Sequence, residues 1–396
     1  MRHLYILIAL IAALVAPRAV AAVGVDSTLT VSLLTCSPGE ETYELYGHTA
    51  ILVRARHDSL QAVYNYGAFS FEQPHFVWRF VLGRTDYVLL AMPLGVFLQE
   101  YFARGSWVEE QRLNLTPAEA NLLADSLAWY SLPEHCTYRY GIFRNNCTTK
   151  SRDIIENCIR GRVIYPARPR RNTFRTIIHE YTVGHPWATT GNDMLLGSDV
   201  DTLLCERDEM FAPLYMMRYA DSAMVQTAAD AYRPLVAERR TLLEERPEMR
   251  RKVVDAQRRF PVAPAPLAWG LLAAALGLAF CEWRRRGVVW QADAVMLCLQ
   301  GVVGVVLTFM TLFSEHPGVA SNWLVVAFNP LPLLFAIPVA VAARHGRRHP
   351  YHYFAAMLLA LFVAAMPLMP QDFPDITLPL ALTLLSRSII NIAVAK

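Results

Sequence analysis

Residues 145–159 have the sequence NNCTTKSRDIIENCI, which joins a helix start to a buried helix face. Asparagine is among the residue types that most often cap the first turn of a helix, and two asparagines stand here side by side. The apolar residues that follow share one helical stripe: Cys147, Ile154, Ile155, Cys158 and Ile159. We therefore predict a helix that begins at Cys147 and packs this stripe into a core.

Cys147 lies at the predicted start of a helix, a position that favours ionisation of a thiol. The positive end of a helix dipole stabilises an anion, and the thiolate is the nucleophilic form of cysteine. A histidine close by could take up the thiol proton and later return it to a leaving group. His48, in the segment YGHTA at residues 46–50, is our candidate for this histidine. From these residues alone, a structural cysteine and an unrelated histidine remain an open alternative.

The residues around His48 predict a sheet of short strands. Strands are expected within residues 29–36, 49–54 and 61–66, and the polar residues 56–59 predict a hairpin turn between the last two. The segment TPAE at residues 116–119 is a capping box with proline at the first helical position, so another helix begins there. Helices placed between short strands without strict alternation indicate an α+β fold.

Several other catalytic motifs are missing from the sequence. No two glycines are spaced as in GxGxxG, and no pair brackets a serine as in GxSxG. The pair His179-Glu180 begins like a zinc-protease motif, but Val183 occupies the position of the second histidine. We predict neither a metal nor a cofactor, which leaves cysteine chemistry. Disulfide pairing stays open for four further cysteines: Cys36, Cys136, Cys158 and Cys205.

The composition indicates a soluble domain joined to a membrane domain. Of 396 residues, 54% are hydrophobic and 18% are charged, whereas about 25% are charged in soluble domains. The net charge of +3 gives no basic surface for a nucleic acid, and the apolar content excludes a disordered chain. Nearly all of the apolar excess lies in five segments of spanning length: 261–281, 294–314, 322–343, 353–371 and 376–395.

Arginine clusters predict the orientation in the membrane. Clusters at 284–286 and 344–348 follow the first and third segments, whereas the loops after the second and fourth contain no Lys or Arg. The positive-inside rule therefore puts the clusters in the cytoplasm and the large N-terminal region outside. Arg387 interrupts the fifth segment; we expect it to snorkel to the surface, the alternative being a function inside the membrane.

These features divide the chain into four regions. Residues 1–22 have the positive start, the short apolar run and the small residues of a cleaved signal peptide. Residues 23–232 form the extracytoplasmic domain, and residues 261–396 form a membrane domain of about five helices. Residues 233–260 are predicted as an amphipathic juxtamembrane helix, because apolar residues recur there at every seventh position: Leu235, Leu242, Met249 and Ala256.

Four segments together resemble one protein family: LLTCSPGEETYELYGHTAILVR (33–54), YNYGAFSF (64–71), VLGRTDYVL (81–89) and YGIFRNNCTTKSRDII (140–155). They are similar to the periplasmic domain of the Lnb-type lipoprotein N-acyltransferases, which is related to permuted papain-like hydrolases of the NlpC/P60 kind. The resemblance implies a circularly permuted papain-like extracytoplasmic domain, with Cys147 as the nucleophile and His48 as its base. The five apolar segments agree with the layout of that family.

Each remaining candidate site residue has two explanations. Asn65, on the strand expected beside His48, could orient the imidazole or close the hairpin by a hydrogen bond. Asn146 could bind the substrate oxyanion or cap the helix. Three polar residues of the membrane domain are candidates for substrate binding, although a loop and a helix kink would explain them equally: His316, Asn322 and Asn329.

The resemblance implies an enzyme of the bacterial inner membrane. The Cys147 thiolate would take an acyl chain from a phospholipid as a thioester and pass it to the N-terminal amine of a diacylated lipoprotein. The identity of this acceptor comes from the resemblance alone. Two other functions stay open. The same pair of residues could serve an NlpC/P60-like cell-wall cysteine peptidase or amidase, or the domain could be a non-catalytic membrane sensor.

Overall fold

The computed structural model describes residues 29–55, 61–70, 72, 74–228, 231–256 and 260–395. The signal peptide expected at residues 1–22 and the hairpin turn expected at residues 56–59 lie outside the described residues.

The N-terminal domain contains ten described strands and nine described helices. The strands are β1 (Thr30–Cys36), β2 (His48–Arg54), β3 (Gln61–Ala68), β4 (Asp86–Pro93), β5 (Val108–Leu113), β6 (Thr137–Arg139), β7 (Arg162–Ile164), β8 (Met224–Ala228), β9 (Ala231–Pro234) and β10 (Val236–Leu243). The helices are α1 (Phe76–Val81), α2 (Leu94–Arg104), α3 (Pro117–Tyr130), α4 (Cys147–Cys158), α5 (Phe174–Tyr181), α6 (Pro186–Leu195), α7 (Glu206–Glu209), α8 (Pro213–Ser222) and α9 (Pro247–Ala256).

Seven strands form one antiparallel sheet in the order β10-β5-β1-β2-β3-β4-β6, and β7, β8 and β9 form a second, small sheet. Strands β1 and β2 are buried along almost their whole length, because helices cover both faces of the large sheet. Leu33 and Ile51 pack on one face, and Leu34 and Leu52 pack on the other, against α2. A register slip of one residue would exchange these two sets.

The juxtamembrane helix predicted for residues 233–260 is wrong over its first half. Residues 236–243 form β10, which pairs with β5 at the edge of the large sheet, and only Pro247–Ala256 is helical. Cross-strand ion pairs favour the strand, since Arg239 and Arg240 donate to Glu109 and Glu110 over 3.0 and 2.9 Å. The seven-residue repeat of apolar residues, which runs across the strand and the helix, is therefore coincidental.

Five apolar helical segments in the described part of the chain are long enough to cross a membrane. They comprise α10 (Pro264–Arg285), α11 (Trp290–Phe313), the broken third segment α12 (Leu324–Ala327) and α13 (Leu331–Arg344), α14 (Pro350–Ala365) and α15 (Thr377–Val394). An α+β domain followed by five apolar helices confirms the predicted α+β class and helical membrane domain, and the permuted papain-like arrangement stays a prediction. The break between α12 and α13 lies at Asn329-Pro330, where a helix kink was expected.

Arg387 does not snorkel to the surface, contrary to our expectation. Its side chain is 3% exposed and donates to Asp293 over 2.7 Å and to both carboxylate oxygens of Glu282 over 2.5 and 2.8 Å. Asn391 donates to the second oxygen of Asp293 over 2.8 Å. An unpaired charge is very unfavourable inside a bilayer, so this cluster holds α10, α11 and α15 together.

The loop between the second and third spanning segments binds the N-terminal domain in two places. At the first, three consecutive residues donate to the backbone carbonyls at the end of α1: Ser314 Oγ to Val81 (2.9 Å), Glu315 N to Leu82 (2.9 Å) and His316 Nε2 to Phe80 (2.6 Å). At the second, the backbone N–H groups of Gly197 and Ser198 donate to Gly318 and Ser321 over 2.7 and 3.0 Å. These contacts fix the domain against the outer end of the membrane helices.

Candidate active site

Cys147 is the first residue of α4, as the sequence predicts, because Asn146 caps the helix. The side-chain oxygen of Asn146 accepts hydrogen bonds from the backbone N–H groups of Thr148 and Thr149, both over 2.9 Å. Cys147 therefore lies at the positive end of a helix of twelve residues. Its own backbone N–H is among the four that have no acceptor within the helix.

The structure supports the capping explanation for Asn146 and not the substrate-binding one. Both hydrogens of its amide group are used within the protein, in bonds to the carbonyls of Ile142 (2.7 Å) and Phe211 (2.9 Å). The residue is buried, and its oxygen already serves the helix cap. No hydrogen of this amide is left for a substrate oxyanion, so the expected contact with substrate is corrected to a structural role.

His48 opens β2 and forms a hydrogen bond with the Cys147 thiol. The chain can turn into the strand there because Gly47 has a positive φ of 73°, and a Cβ atom on it would lie 2.7 Å from the Cys36 carbonyl oxygen. Gly67 on β3 lies beside the pair. A Cβ atom on Gly67 would lie 3.7 Å from both the Cys147 Cβ and the His48 Cε1.

The surroundings of Cys147 favour its thiolate. Burial raises the pKa of Cys147. The charge of His48, its hydrogen bond and the Thr49 backbone N–H outweigh this effect and lower the pKa to about 7. Burial lowers the pKa of His48, because it disfavours the charged imidazolium. The Cys147 thiolate and the hydrogen bonds to Cys147 and Asn65 outweigh burial and raise the pKa of His48 above its usual value. Each partner thus stabilises the charged form of the other, as an activated thiolate–imidazolium pair requires.

Asn65 lies on β3 beside His48 and contacts the imidazole directly. The distance from His48 Nε2 to Asn65 Oδ1 is 2.5 Å. An amide oxygen only accepts, so Nε2 carries the hydrogen and Nδ1 is the nitrogen left to exchange a proton with the thiol. The structure therefore brings Cys147, His48 and Asn65 together in one chain of hydrogen bonds.

Sequence reasoning missed two groups beside the pair. The hydroxyl of Thr148 lies 3.1 Å from that of Thr49 and 3.8 Å from the Cys147 sulfur, which ties the helix start to the strand that carries His48. Tyr138 and Tyr140 lie near Cys147. Burial has the largest effect and raises the pKa of both hydroxyls, and the negative charge of the Cys147 thiolate raises it further. The contexts NNCTT and YRYG contained these residues, but nothing in them indicated a role.

Two of the three membrane-domain candidates have structural roles. Asn322 is 3% exposed, donates to the Met194 carbonyl over 2.8 Å and accepts from the Leu324 N–H over 3.0 Å, so it joins the two domains. Asn329 donates to Val326 over 3.0 Å within the break of the third spanning segment. These contacts support a loop and a kink rather than the expected substrate site. His316 is partly buried against α1, where its ring lies edge-on to that of Phe80.

Comparisons with known proteins match both halves of the chain. The model of the Lnb N-terminal periplasmic domain matches residues 24–180, and that of the Lnb transmembrane domain matches residues 255–396. No curated protein and no solved structure matches the chain. The first match contains Cys147, His48 and Asn65, and the second contains all five apolar helices. The chain therefore belongs to the Lnb family, as a multi-pass inner-membrane protein whose N-terminal domain lies in the periplasm.

Proposed function

We propose that the protein is a cysteine-dependent lipoprotein N-acyltransferase. One observation carries the proposal: a Cys147–His48 pair with a lowered thiol pKa lies in a periplasmic domain that is bound to the outer end of five membrane helices. A thiolate beside a histidine suits acyl transfer. The contacts between the domain and the outer end of the second spanning segment support a membrane lipid as the acyl donor, which is the donor that the resemblance implies.

In the first half-reaction, the Cys147 sulfur attacks the ester carbonyl carbon of a phospholipid. A C–S bond forms, and the carbonyl oxygen takes up negative charge. The backbone N–H of Cys147 and the start of α4 would stabilise this oxyanion, since they present partial positive charge without prior rearrangement. The ester C–O bond then breaks, and His48 transfers a proton from Nδ1 to the departing lysophospholipid oxygen. The product is an acyl thioester on Cys147 and a neutral imidazole.

In the second half-reaction, the α-amine of a diacylated lipoprotein attacks the thioester carbon. A C–N bond forms, the C–S bond breaks, and His48 accepts the proton that the amine nitrogen loses. This restores the thiolate–imidazolium pair. Asn65 acts as a positioning residue in both halves, because its bond to Nε2 keeps Nδ1 directed at the reacting atoms.

The two alternatives use the same domain differently. An NlpC/P60-like peptidase or amidase would direct the Cys147–His48 pair at a peptide bond of the cell wall, and such an enzyme needs no lipid-facing surface. A non-catalytic sensor would have no need of the Asn65–His48–Cys147 chain. The contacts of residues 314–316 with α1 favour a lipid substrate over a wall peptide.

A reconstituted assay tests the proposal. The full-length protein in phospholipid vesicles is incubated with a synthetic diacylated lipopeptide that has a free α-amine, and triacylated product is measured by mass spectrometry. We expect product from the wild type and from Cys158→Ser, a buried cysteine at the far end of the same helix, and none from Cys147→Ser. Cleavage of a wall peptide without acyl transfer would support the peptidase instead.

A further inference from the structure

The short helix α1 exposes apolar side chains that a soluble domain would bury. Val77, Trp78 and Phe80 are 74%, 56% and 48% exposed, and no residue of the helix is fully buried. The one charged residue, Arg79, turns back to form an ion pair with Asp86. A contiguous exposed apolar surface of this kind marks a contact with a membrane or another apolar partner.

The position of α1 identifies the membrane as that partner. The ring of Trp78 lies 5.4 Å from the ring of Phe309, which belongs to α11 one turn before its outer end at Phe313. Ser314, Glu315 and His316 hold the end of the same helix by the three hydrogen bonds described above. Helix α1 therefore lies at the level where the second spanning segment leaves the bilayer, and aromatic side chains are favoured at that interface.

A continuous row of aromatic rings leads from α1 into the domain. The distances between consecutive ring centroids are 6.2, 5.8, 4.9 and 4.2 Å along the row Phe80, Phe76, Phe69, Tyr87 and Tyr140. All four neighbouring pairs are stacked, with interplanar angles of 14–25°. All five side chains of the row are aromatic and uncharged.

The inner end of the row lies beside the candidate nucleophile. Gly141 pairs with Asn145 across a tight turn, which brings Tyr140 back toward the start of α4. Tyr138, two residues earlier, pairs with Tyr87 across β4 and β6 and packs on the same core as Cys147. The raised pKa of Tyr140, caused by burial and by the Cys147 thiolate, agrees with this placement.

We infer that this aromatic row binds the acyl chain of the phospholipid donor and guides its ester from the outer leaflet to Cys147. The inference rests on the proposed function. A hydrocarbon chain is the occupant that fits, because the row is uncharged, begins on a helix that contacts a membrane helix and ends at Tyr140, near the start of the helix that carries Cys147. A donor that keeps its chain against aromatic rings avoids the unfavourable exposure of its methylenes to water. The outer part of the same chain can stay in the bilayer, beside Val77 and Trp78.

Photo-crosslinking tests the position of the chain independently of catalysis. Vesicles containing a phospholipid with a diazirine on its acyl chain are irradiated with full-length Cys147→Ser protein, and labelled peptides are mapped by mass spectrometry. We expect label on the peptides that contain Phe69, Phe76 and Tyr87, in addition to the spanning helices. Label confined to the spanning helices would overturn the inference, whatever the outcome of the transfer assay.

Substitution tests the role of the row in transfer. Phe76→Leu keeps an apolar side chain but removes one ring, so we expect kcat/KM for a long-chain phospholipid to fall by about tenfold, the scale set by the loss of a few apolar contacts. Acylation of Cys147 by a water-soluble short-chain ester should stay within about twofold of wild type, because that donor bypasses the row. Tyr232→Ala, which removes a side chain 53% exposed on the small sheet, is the matched control and should change neither rate.

The outcomes separate the two hypotheses. A wild-type protein that accepts no acyl donor at all contradicts the proposed function. A wild-type protein that transfers acyl chains, together with a Phe76→Leu variant that transfers long chains at the full rate, contradicts the aromatic row alone. Equal losses with the long-chain and short-chain donors would show a general structural defect and would also contradict the row.

Discussion

The side-chain oxygen of Asn65 lies 2.5 Å from Nε2 of His48, which leaves Nδ1 as the nitrogen that can exchange a proton with the Cys147 thiol. This bond fixes the tautomer, since Nε2 must carry a hydrogen to make it. It also raises the pKa of His48 together with the thiolate, which counteracts the effect of burial. The Asn65–His48 hydrogen bond, between β3 and β2, therefore helps to set the ionisation of Cys147 on α4.

Removal of the Asn65 amide should slow catalysis without unfolding the domain. We expect Asn65→Ala to reduce kcat by about ten- to a hundredfold, the range found when a group that orients a reactive side chain is lost. Asn65→Gln should recover little activity, because the longer side chain displaces the oxygen. The measurement is the acyl-transfer rate together with a circular dichroism spectrum. Full activity in Asn65→Ala would leave Asn65 with only the hairpin role.

The reactivity of Cys147 should depend on pH with a midpoint near 7. The thiolate is the reactive form, so alkylation by iodoacetamide should be slow below the pKa of about 7 and approach a plateau above it. His48→Ala removes the positive partner, so the midpoint should move upward, toward or beyond the value of an ordinary thiol. Labelling of the Cys147 peptide is followed by mass spectrometry. A wild-type midpoint that does not differ from that of His48→Ala would contradict the ion pair.

Gly67 should not tolerate a side chain. Its φ of 102° is strained for any other residue, and a new Cβ atom would contact the Cys147 Cβ and the His48 Cε1, each over 3.7 Å. We expect Gly67→Ala to destabilise the protein by about 1–3 kcal/mol and to lower the transfer rate. Gly191→Ala is the matched control, because Gly191 lies in α6 with no atom within 4 Å of the new Cβ. Thermal unfolding in detergent measures both, and equal stability of the two variants would argue against strain at Gly67.

The charged cluster around Arg387 should be essential for the membrane domain. Arg387→Met leaves Glu282 and Asp293 without their cation, and removal of one partner from a buried ion pair costs about 3–5 kcal/mol. Arg347→Met, at an exposed position in the loop after the third spanning segment, should have no comparable effect. The melting temperatures of the two variants in detergent provide the comparison. A stable Arg387→Met protein would show that the cluster is dispensable.

Apart from the Cys147–His48 pair, which is 99 positions apart and which the family resemblance implies, the features that could be predicted from sequence depend on neighbours along the chain. Asn146 caps α4 through the next three residues, and Asn65 reaches His48 across a hairpin of seventeen positions. The failures involve distant partners. Strand β10 is held by Glu109 and Glu110, 130 positions earlier, and Arg387 is paired with residues 94 and 105 positions earlier on other helices. Sequence periodicity contains no information about such partners.

The aromatic row could not be predicted either, because its members are also distant from one another along the chain. Its rings come from the segment after β3, from α1, from β4 and from the segment after β6, and only the sheet brings these elements side by side. The polar residues of the membrane domain were candidates for substrate binding because polar groups are rare in membrane segments. Two of them, Asn322 and Asn329, instead satisfy backbone groups at a domain joint and at a helix break.

The most direct test of the account is to isolate the acyl-enzyme. The full-length protein is incubated in phospholipid vesicles without an acceptor, and the Cys147 peptide is analysed by mass spectrometry before and after addition of a diacylated lipopeptide. We expect one acyl chain on Cys147, which hydroxylamine removes as it removes a thioester, and we expect this chain to disappear at the rate at which N-acylated lipopeptide forms. N-acylated lipopeptide produced at the wild-type rate by Cys147→Ser, or in the absence of any acyl chain on Cys147, would contradict it.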